Sequence, residues 1–434
     1  MSILRPLLFI GWFNQGLSRA VVAKKNRLEL VAARPKVLLV SNTSWYLYNF
    51  RRHLCISLRD NGFNVVIISP RDKYTDLLQA EGFEFCDWGL DRKSLNPLKE
   101  LLSIYELAQI YRKSDPVIVH HFTIKACLYG TIAAKASGVY RVINAVTGLG
   151  HVFLGTRKRN RMLRLFLRPV YKAAFTARRT TMVFQNADDH EKLISLGIAD
   201  GRKAHLIKGS GVDVSHFDRN KLTIAKRNWK LGLKLLFPSR LIKEKGVFEL
   251  LEACEALWRE GYSFDLLVAG QTDRGNRSAL TPSEFNALTA NPRVTLLGHV
   301  EDMRALYASV DLVVLPSWRE GLSRSLIEAA SMELPIITTD VPGCRDVVTH
   351  GVSGMLVPRK DSNALRLAII FLIANQGFAE QLGEKARESV ISNFKIELVN
   401  EATISAYADI LASPNVRVGR FGKNLNSSQE QIAI

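Results

Sequence analysis

The chain has 434 residues, 47% hydrophobic content and a formal net charge of +18. That is apolar material for two ordinary domains, each with its own core, and it excludes a disordered chain. Five scattered cysteines with no Cys-x-x-Cys pair argue against a disulfide framework or a zinc site and fit a reducing cytoplasm. No ligand set has metal-binding spacing, because the adjacent His120 and His121 point to opposite faces of a strand.

Residues 1–35 read as a basic leader. Arg5, Arg19, Lys24, Lys25, Arg27 and Arg34 face the single acid Glu29. The apolar run Pro6 to Phe13 is too short to span a bilayer. It ends at Asn14 and Gln15 without a small-residue cleavage pattern, so a secretory signal is weak and an interfacial anchor or poorly ordered leader is expected.

From Lys36 onward short β-rich runs alternate with helical patterns. The expected order is strand Val37 to Val40, helix Tyr46 to Arg59, strand Val65 to Ser69, helix Asp72 to Glu81 and strand Phe83 to Cys86. A helix near Leu98 to Arg112, strand Val117 to His120, helix Lys125 to Ala136 and strand Arg141 to Val146 follow. Thr181 to Phe184 continues the first series, and residues 209–232 read as connecting structure. A second series runs through Leu233 to Phe237, helix Val247 to Glu260, then Phe264 to Val268, Arg293 to Leu297, Leu312 to Leu315, Pro335 to Thr338 and Met355 to Val357. Helical patterns fill Asn363 to Ala374, Ala379 to Ser389 and Ile396 to Leu411. Such alternation implies right-handed crossovers and parallel sheets covered on both faces. The expected architecture is α/β, with two doubly wound Rossmann-like domains, 36–215 and 216–395, facing a cleft, and ligands at the carboxyl ends of the strands. A helix at 396–412 packs back on the first domain in this reading, and the polar tail 413–434 stays disordered.

Between the strands near 146 and 181, Arg157, Lys158, Arg159, Arg161, Arg164, Arg168, Lys172, Arg178 and Arg179 meet no acid. Arg157, Arg161, Arg164, Arg168 and Lys172 recur every three or four residues, with Leu163, Phe166, Val170 and Ala174 in the same rhythm on another face. This is a basic amphipathic helix bent at Pro169, either a solvated face or a contact for an anionic membrane surface. No nucleic-acid signature accompanies it.

The chemistry concentrates at two strand ends. In Pro316-Ser-Trp-Arg-Glu-Gly-Leu-Ser-Arg-Ser-Leu-Ile-Glu328, Glu320 and Glu328 are separated by seven residues and straddle a helix start that Ser323 or Ser325 can cap. Two carboxylates beside an anion-attracting helix end suit a ligand with sugar hydroxyls and phosphate, such as a nucleotide sugar. Phe237-Pro-Ser-Arg-Leu-Ile-Lys-Glu-Lys-Gly246 places Arg240 and Lys245 after the first strand of the second series, where a diphosphate can be neutralised. The chain contains no Asp-x-Asp, so no metal and no other cofactor is expected, and the cations and helix end take that role.

Together with Phe184-Gln-Asn-Ala-Asp, Gly209-Ser-Gly-Val-Asp213, Leu296-Leu-Gly-His-Val-Glu-Asp-Met303 and Val341-Pro-Gly-Cys-Arg-Asp-Val-Val348, these motifs resemble the retaining glycosyltransferases of family 4, which share the GT-B fold. The resemblance covers roughly residues 36 to 411, and Val146-Thr-Gly-Leu-Gly-His-Val-Phe153 looks like the subgroup that builds capsule and O-antigen glycans on polyprenyl diphosphate. It implies that Arg240 and Lys245 bind the donor diphosphate, Glu328 accepts ribose hydroxyls and Glu320 contacts the transferred sugar. Gly321, Leu322 and Ser323 would offer backbone N–H groups, and Gly270 joins the donor site. Trp45, Asn49, His121, Thr147 and His151 are acceptor-side candidates. Many relatives carry a His after the strand ending at Val146; here Thr147 stands there, so a proton-handling role does not carry over.

The resemblance implies a retaining, metal-independent enzyme that moves a hexose or N-acetylhexosamine from a UDP-sugar to a polyprenyl-diphosphate-linked saccharide. It would work in the cytoplasm, peripherally on the inner face of the membrane. The competing readings are a nucleotide-sugar epimerase of the same fold and a non-catalytic protein binding membranes or polyanions through its basic regions.

Overall fold

The computed structural model describes residues 34–412 except 93, 95, 149–167, 178–179, 223–228, 230–231, 274–275 and 277. The described residues fall into two compact units. One draws on the described residues of 34–144, 177–181 and 402–412, the other on those of 145–176 and 182–401.

The first sheet has the order β3-β2-β1-β4-β5-β6-β7. Its strands are β1 Lys36–Val40, β2 Asn64–Ser69, β3 Glu84–Asp87, β4 Ile118–Phe122, β5 Val142–Val146, β6 Thr180–Phe184 and β7 Ala204–Leu206. β1 pairs in parallel with both β2 and β4. Every residue of β4 and β5 is buried, as expected of central strands covered on both faces, so their polar members His120, His121 and Asn144 must find partners inside. The helix after β1, Ser44–Asp60, starts where the Thr43 side chain accepts the Tyr46 N–H. It buries Leu47, Arg51, Leu54, Cys55 and Leu58 along one stripe.

The second sheet has the order β10-β9-β8-β11-β12-β13, from β8 Leu233–Pro238, β9 Phe264–Ala269, β10 Val294–Gly298, β11 Leu312–Leu315, β12 Ile336–Thr339 and β13 Met355–Val357. All its pairings are parallel. Helices Val247–Arg259, Arg324–Ser331 and Ser362–Ala374 lay apolar faces on it. The two doubly wound α/β sheets agree with the sequence.

Some expectations need correction. The 209–232 stretch is more than a connection, since Val212, Phe217 and Trp229 enter the second core. Helices Ala187–Ser195, Pro282–Thr289 and Met303–Ala308 and the strand β7 were not anticipated; each has nine residues or fewer, too short to establish a period. In the basic stretch residues 168–175 are helical, but Val170 is 43% exposed while Tyr171, Ala174 and Phe175 are buried. The apolar stripe is thus rotated, because two aromatic rings outweigh one valine in buried area. Arg157, Arg161 and Arg164 lie outside the described residues, as do residues 1–33 and the tail from 413.

Candidate active site

β8 is the first strand of the second sheet in sequence yet lies between β9 and β11. At such a switch point successive connections leave to opposite faces and open a crevice at the strands' carboxyl ends. The loops after β8 and β11 run side by side there. Ser317 Oγ and the Trp318 N–H both donate to the Glu244 carbonyl, at 3.1 and 2.8 Å. Gly246 sits at φ +76°, and a Cβ there would stand 2.0 Å from the Pro316 carbonyl oxygen, so a side chain at 246 would drive the two loops apart.

That seam brings the two expected catalytic charges together. Lys245 Nζ and Glu320 Oε1 form an ion pair, their side chains only 15% and 11% exposed. Lys has three donors and Glu320 occupies one of them, so a phosphate oxygen can share the same ammonium. Arg240 is 58% exposed and held by Asp273 at 2.7 Å. Its planar fork keeps further N–H groups for a second phosphate oxygen. Gly270 lets the neighbouring strand end approach, since a Cβ would lie 1.9 Å from the Ser239 carbonyl oxygen. Among the described residues no three His, Cys, Asp or Glu side chains cluster so as to hold a metal ion.

The loop bearing Glu320 is clamped from two sides. The Glu320 N–H donates to Pro342 O at 3.2 Å and the Ser323 N–H to Gly343 O at 3.1 Å. Asp346 closes that turn by accepting the Gly343 N–H at 2.9 Å. On the other side Asn186 Nδ2 donates to Gly321 O at 2.6 Å, while Arg319 pairs with the buried Asp189. Burial pushes the Asp189 carboxyl upward and Arg319 opposes it. Asn186 also caps its own helix by accepting the Asp189 N–H at 2.7 Å, so one side chain fixes both the helix start and the loop bearing Glu320.

Two expectations change here. Ser323 stands at the N-cap of helix Arg324–Ser331 but its side chain makes no capping bond; it lies 3.3 Å from Ser325 Oγ instead. Its N–H is already donated, so the backbone donors for a ligand reduce to Gly321 and Leu322. Glu328 is one turn inside the helix and is bridged by Arg324 at 2.7 Å, with its side chain 12% exposed. Tyr307, fully buried, reaches Ser325 O at 3.0 Å behind it, and burial followed by the Glu328 charge raises the phenol well above its ordinary pKa.

The acceptor-side candidates divide. Thr147 is half-buried and lies against the loop bearing Glu320: a Cβ on Gly321 would stand 2.1 Å from its carbonyl oxygen. Trp45 is 40% exposed, and Asn49 Nδ2 donates to its carbonyl at 2.9 Å. His121 is not at a surface. It is fully buried, with Nδ1 2.7 Å from Asn144 Oδ1 and Nε2 2.8 Å from the Tyr111 hydroxyl. Asn144 Nδ2 donates to Thr131 at 2.8 Å, which turns Oδ1 toward the ring and fixes the Nδ1–H tautomer. Burial holds the pKa of His121 down to about 4, and Gly130 leaves room for the ring. It is a structural imidazole. His151 lies outside the described residues. Arg168 is exposed but its guanidinium donates to Leu196 O at 2.7 and 3.2 Å, capping helix Ala187–Ser195; Lys172 is exposed.

Two family profiles match the chain, Glycosyl transferase 4-like over residues 36–186 and Glycosyl transferases group 1 over residues 220–389. With the two doubly wound sheets, these matches define the chain as a glycosyltransferase of GT-B fold. It belongs to the family-4-like, group 1 glycosyltransferases. Among its relatives, the Staphylococcus aureus capsular polysaccharide biosynthesis glycosyltransferase CapM is 29% identical over 77% of this chain and 90% of that protein. The Campylobacter jejuni N,N'-diacetylbacillosaminyl-diphospho-undecaprenol alpha-1,3-N-acetylgalactosaminyltransferase is 25% identical over 82% of this chain and 94% of that enzyme. Anabaena HepE, solved in complex with UDP-glucose, shares the fold at a TM-score of 0.68, with 18% identity over 87% of this chain and 100% of HepE.

Proposed function

We propose that this chain is a retaining glycosyltransferase that moves a hexose or N-acetylhexosamine from a UDP-sugar to a polyprenyl-diphosphate-linked saccharide during surface-glycan synthesis. It works without a metal, at the cytoplasmic face of the membrane. Residues 36–215 serve the acceptor and residues 216–395 the donor. The observation that carries the reading is the Lys245–Glu320 pair at the switch point of the second sheet, with Arg240 after the same strand as Lys245. Support comes from relatives named for capsule synthesis and for an undecaprenyl-diphosphate-linked acceptor, and from a fold neighbour that binds UDP-glucose.

In this mechanism Arg240 and Lys245 neutralise the leaving diphosphate, Glu328 accepts ribose hydroxyls, and Glu320 contacts the sugar while orienting Lys245. The acceptor hydroxyl attacks from the face the diphosphate leaves. A diphosphate oxygen takes its proton, so no protein nucleophile is needed and catalysis rests on positioning and leaving-group stabilisation. Incubation with UDP-sugars and a prenyl-diphosphate saccharide should yield a longer lipid-linked glycan. Interconversion of free nucleotide sugars, or no product with any donor, would overturn the proposal.

A further inference from the structure

Helix Pro97–Ser114 is apolar on two opposite sides. Its inward side buries Ser103, Leu107, Ala108 and Tyr111. Its outward side carries Leu98, Leu101, Leu102 and Tyr105, exposed by 72%, 64%, 66% and 61%. These are the four most exposed large apolar side chains among the described residues, and the spacing i, i+3, i+4, i+7 gathers them on one stripe. At 3.6 residues per turn the stripe is centred roughly 150° from the buried side, so it stands clear of the first unit's core. Scattered apolar residues on a surface are ordinary, whereas a contiguous stripe marks a contact.

Exposed cations outnumber exposed acids around the stripe. Arg92, Lys99, Arg112 and Lys113 are exposed, and Arg112 follows Tyr105 by one heptad on the same face. Of the nearby acids, Glu100 and Glu106 are half-buried and Asp91 is exposed. Glu100 is bridged to Lys125 at 2.9 Å and accepts from Tyr129. Glu106 accepts the Gly89 N–H at 3.0 Å and Asp91 the Ser94 N–H at 3.2 Å. The exposed Asp115 stands at the C-cap, about 15 Å along the axis from Tyr105. Leucines with a tyrosine at the edge and a cationic rim complement a layer of hydrocarbon beneath anionic phosphates. No helix of the described residues is long and apolar enough to cross a membrane; a helix of this pattern that meets a bilayer lies in the interface plane.

We propose that Leu98, Leu101, Leu102 and Tyr105 enter the outer acyl region of an anionic bilayer leaflet, with Arg92, Lys99, Arg112 and Lys113 at the lipid phosphates. The proposal rests on the reading of the enzyme as one that meets a lipid-linked acceptor, and it names the part that meets the lipid. Salt screens the cationic rim but leaves the apolar stripe intact, so the two contributions separate in a salt series.

The test is co-sedimentation of the full chain with phosphatidylcholine–phosphatidylglycerol vesicles that contain no acceptor, at low and high salt, with UDP-glucose binding measured on the same preparation. Wild type is expected to bind at low salt and to keep part of its binding at high salt. The Leu101→Ser/Leu102→Ser variant should lose at least ~tenfold in partitioning at both salts, with unchanged thermal unfolding and UDP-glucose binding. Equal partitioning of the two proteins, or no binding by either, overturns the inference. So does a wild-type dimer in vesicle-free buffer that the variant abolishes, which would assign the stripe to a second copy of the chain. None of these outcomes touches the transferase reading, which fails separately if no sugar is transferred.

Discussion

Gly321→Ala adds a single carbon, and the structure says where it lands. The Cβ stands 2.1 Å from the Thr147 carbonyl oxygen and 2.9 Å from the carbonyl carbon, where ordinary contact begins at 3.4 Å. Both atoms are backbone, so no side-chain rotation relieves the overlap and the loop must retreat by more than ~1 Å. Asn186 resists that retreat by holding the Gly321 carbonyl at 2.6 Å. Overpacking of this kind costs about 1–3 kcal/mol. The preceding residue is Glu320, paired to Lys245, so a shift of that size should slow a positioned reaction by roughly 100-fold. The assay is the rate of UDP release with a lipid-linked acceptor, beside thermal unfolding. Gly377→Ala is the control, with nothing within 4 Å of its Cβ and no left-handed backbone; it should be neutral or stabilise its helix by up to about 1 kcal/mol. Turnover of Gly321→Ala within twofold of wild type, with an unchanged melt, would refute the reasoning.

Arg240→Ala and Lys245→Ala should each lower turnover by about 100- to 1000-fold, the scale of a lost electrostatic group at a leaving atom; near-wild-type rates from both would end their assignment to the diphosphate. Glu328→Gln should weaken UDP and UDP-sugar alike, and Glu320→Gln the UDP-sugar alone together with the chemical rate; calorimetry showing unchanged UDP affinity for Glu328→Gln excludes the ribose role. His121 contributes a pH dependence of known sign. Its folded pKa of about 4 lies below the ordinary 6.5, so as pH falls through that window the unfolded chain takes up a proton that the folded one refuses. Stability is therefore lost between those values, by up to about 3 kcal/mol. His121→Gln should flatten that part of a urea-midpoint profile, and parallel profiles would show that the ring does not carry it.

Much of the architecture is legible in the sequence because buried parallel strands are dense apolar runs. Val37 to Val40 and Leu312 to Leu315 announce themselves this way. Pro282–Thr289 was marked by Thr281 and Glu284, which form a capping box around the N1 proline Pro282, but eight residues establish no period. Arg240, Lys245, Glu320 and Glu328 are placed by motif, yet their partners are not. Lys245 and Glu320 are 75 residues apart, and nothing local shows that Asn186 holds Gly321; the Arg324–Glu328 bridge, by contrast, is an i,i+4 pair that the helix spacing itself offers. Asn186 lay inside a recognised motif, and its position as a polar residue between a strand and a helix start was the available signal. Ser323 misled because a serine before a helix reads as a side-chain cap, while here its N–H is drawn to Gly343. The Leu98 stripe was hidden for a related reason. A helix apolar on two sides shows no single face, and only the fold distinguishes inward from outward.

Tyr407 donates to or accepts from His120 Nδ1 at 2.8 Å across 287 residues, and its ring stands edge-on to Phe63. On a ribosome this ordering matters. The strand carrying His120 is synthesised early, but the hydroxyl that satisfies it arrives only after the entire second sheet has been made. The unit that begins the chain is therefore the last to close, and the later-made unit can complete its core first, the reverse of simple N-to-C folding. A chain released with its end just before Ala402 would present quality-control machinery with a complete second unit and an open first one, its imidazole and Phe63 lacking the ring that Tyr407 supplies.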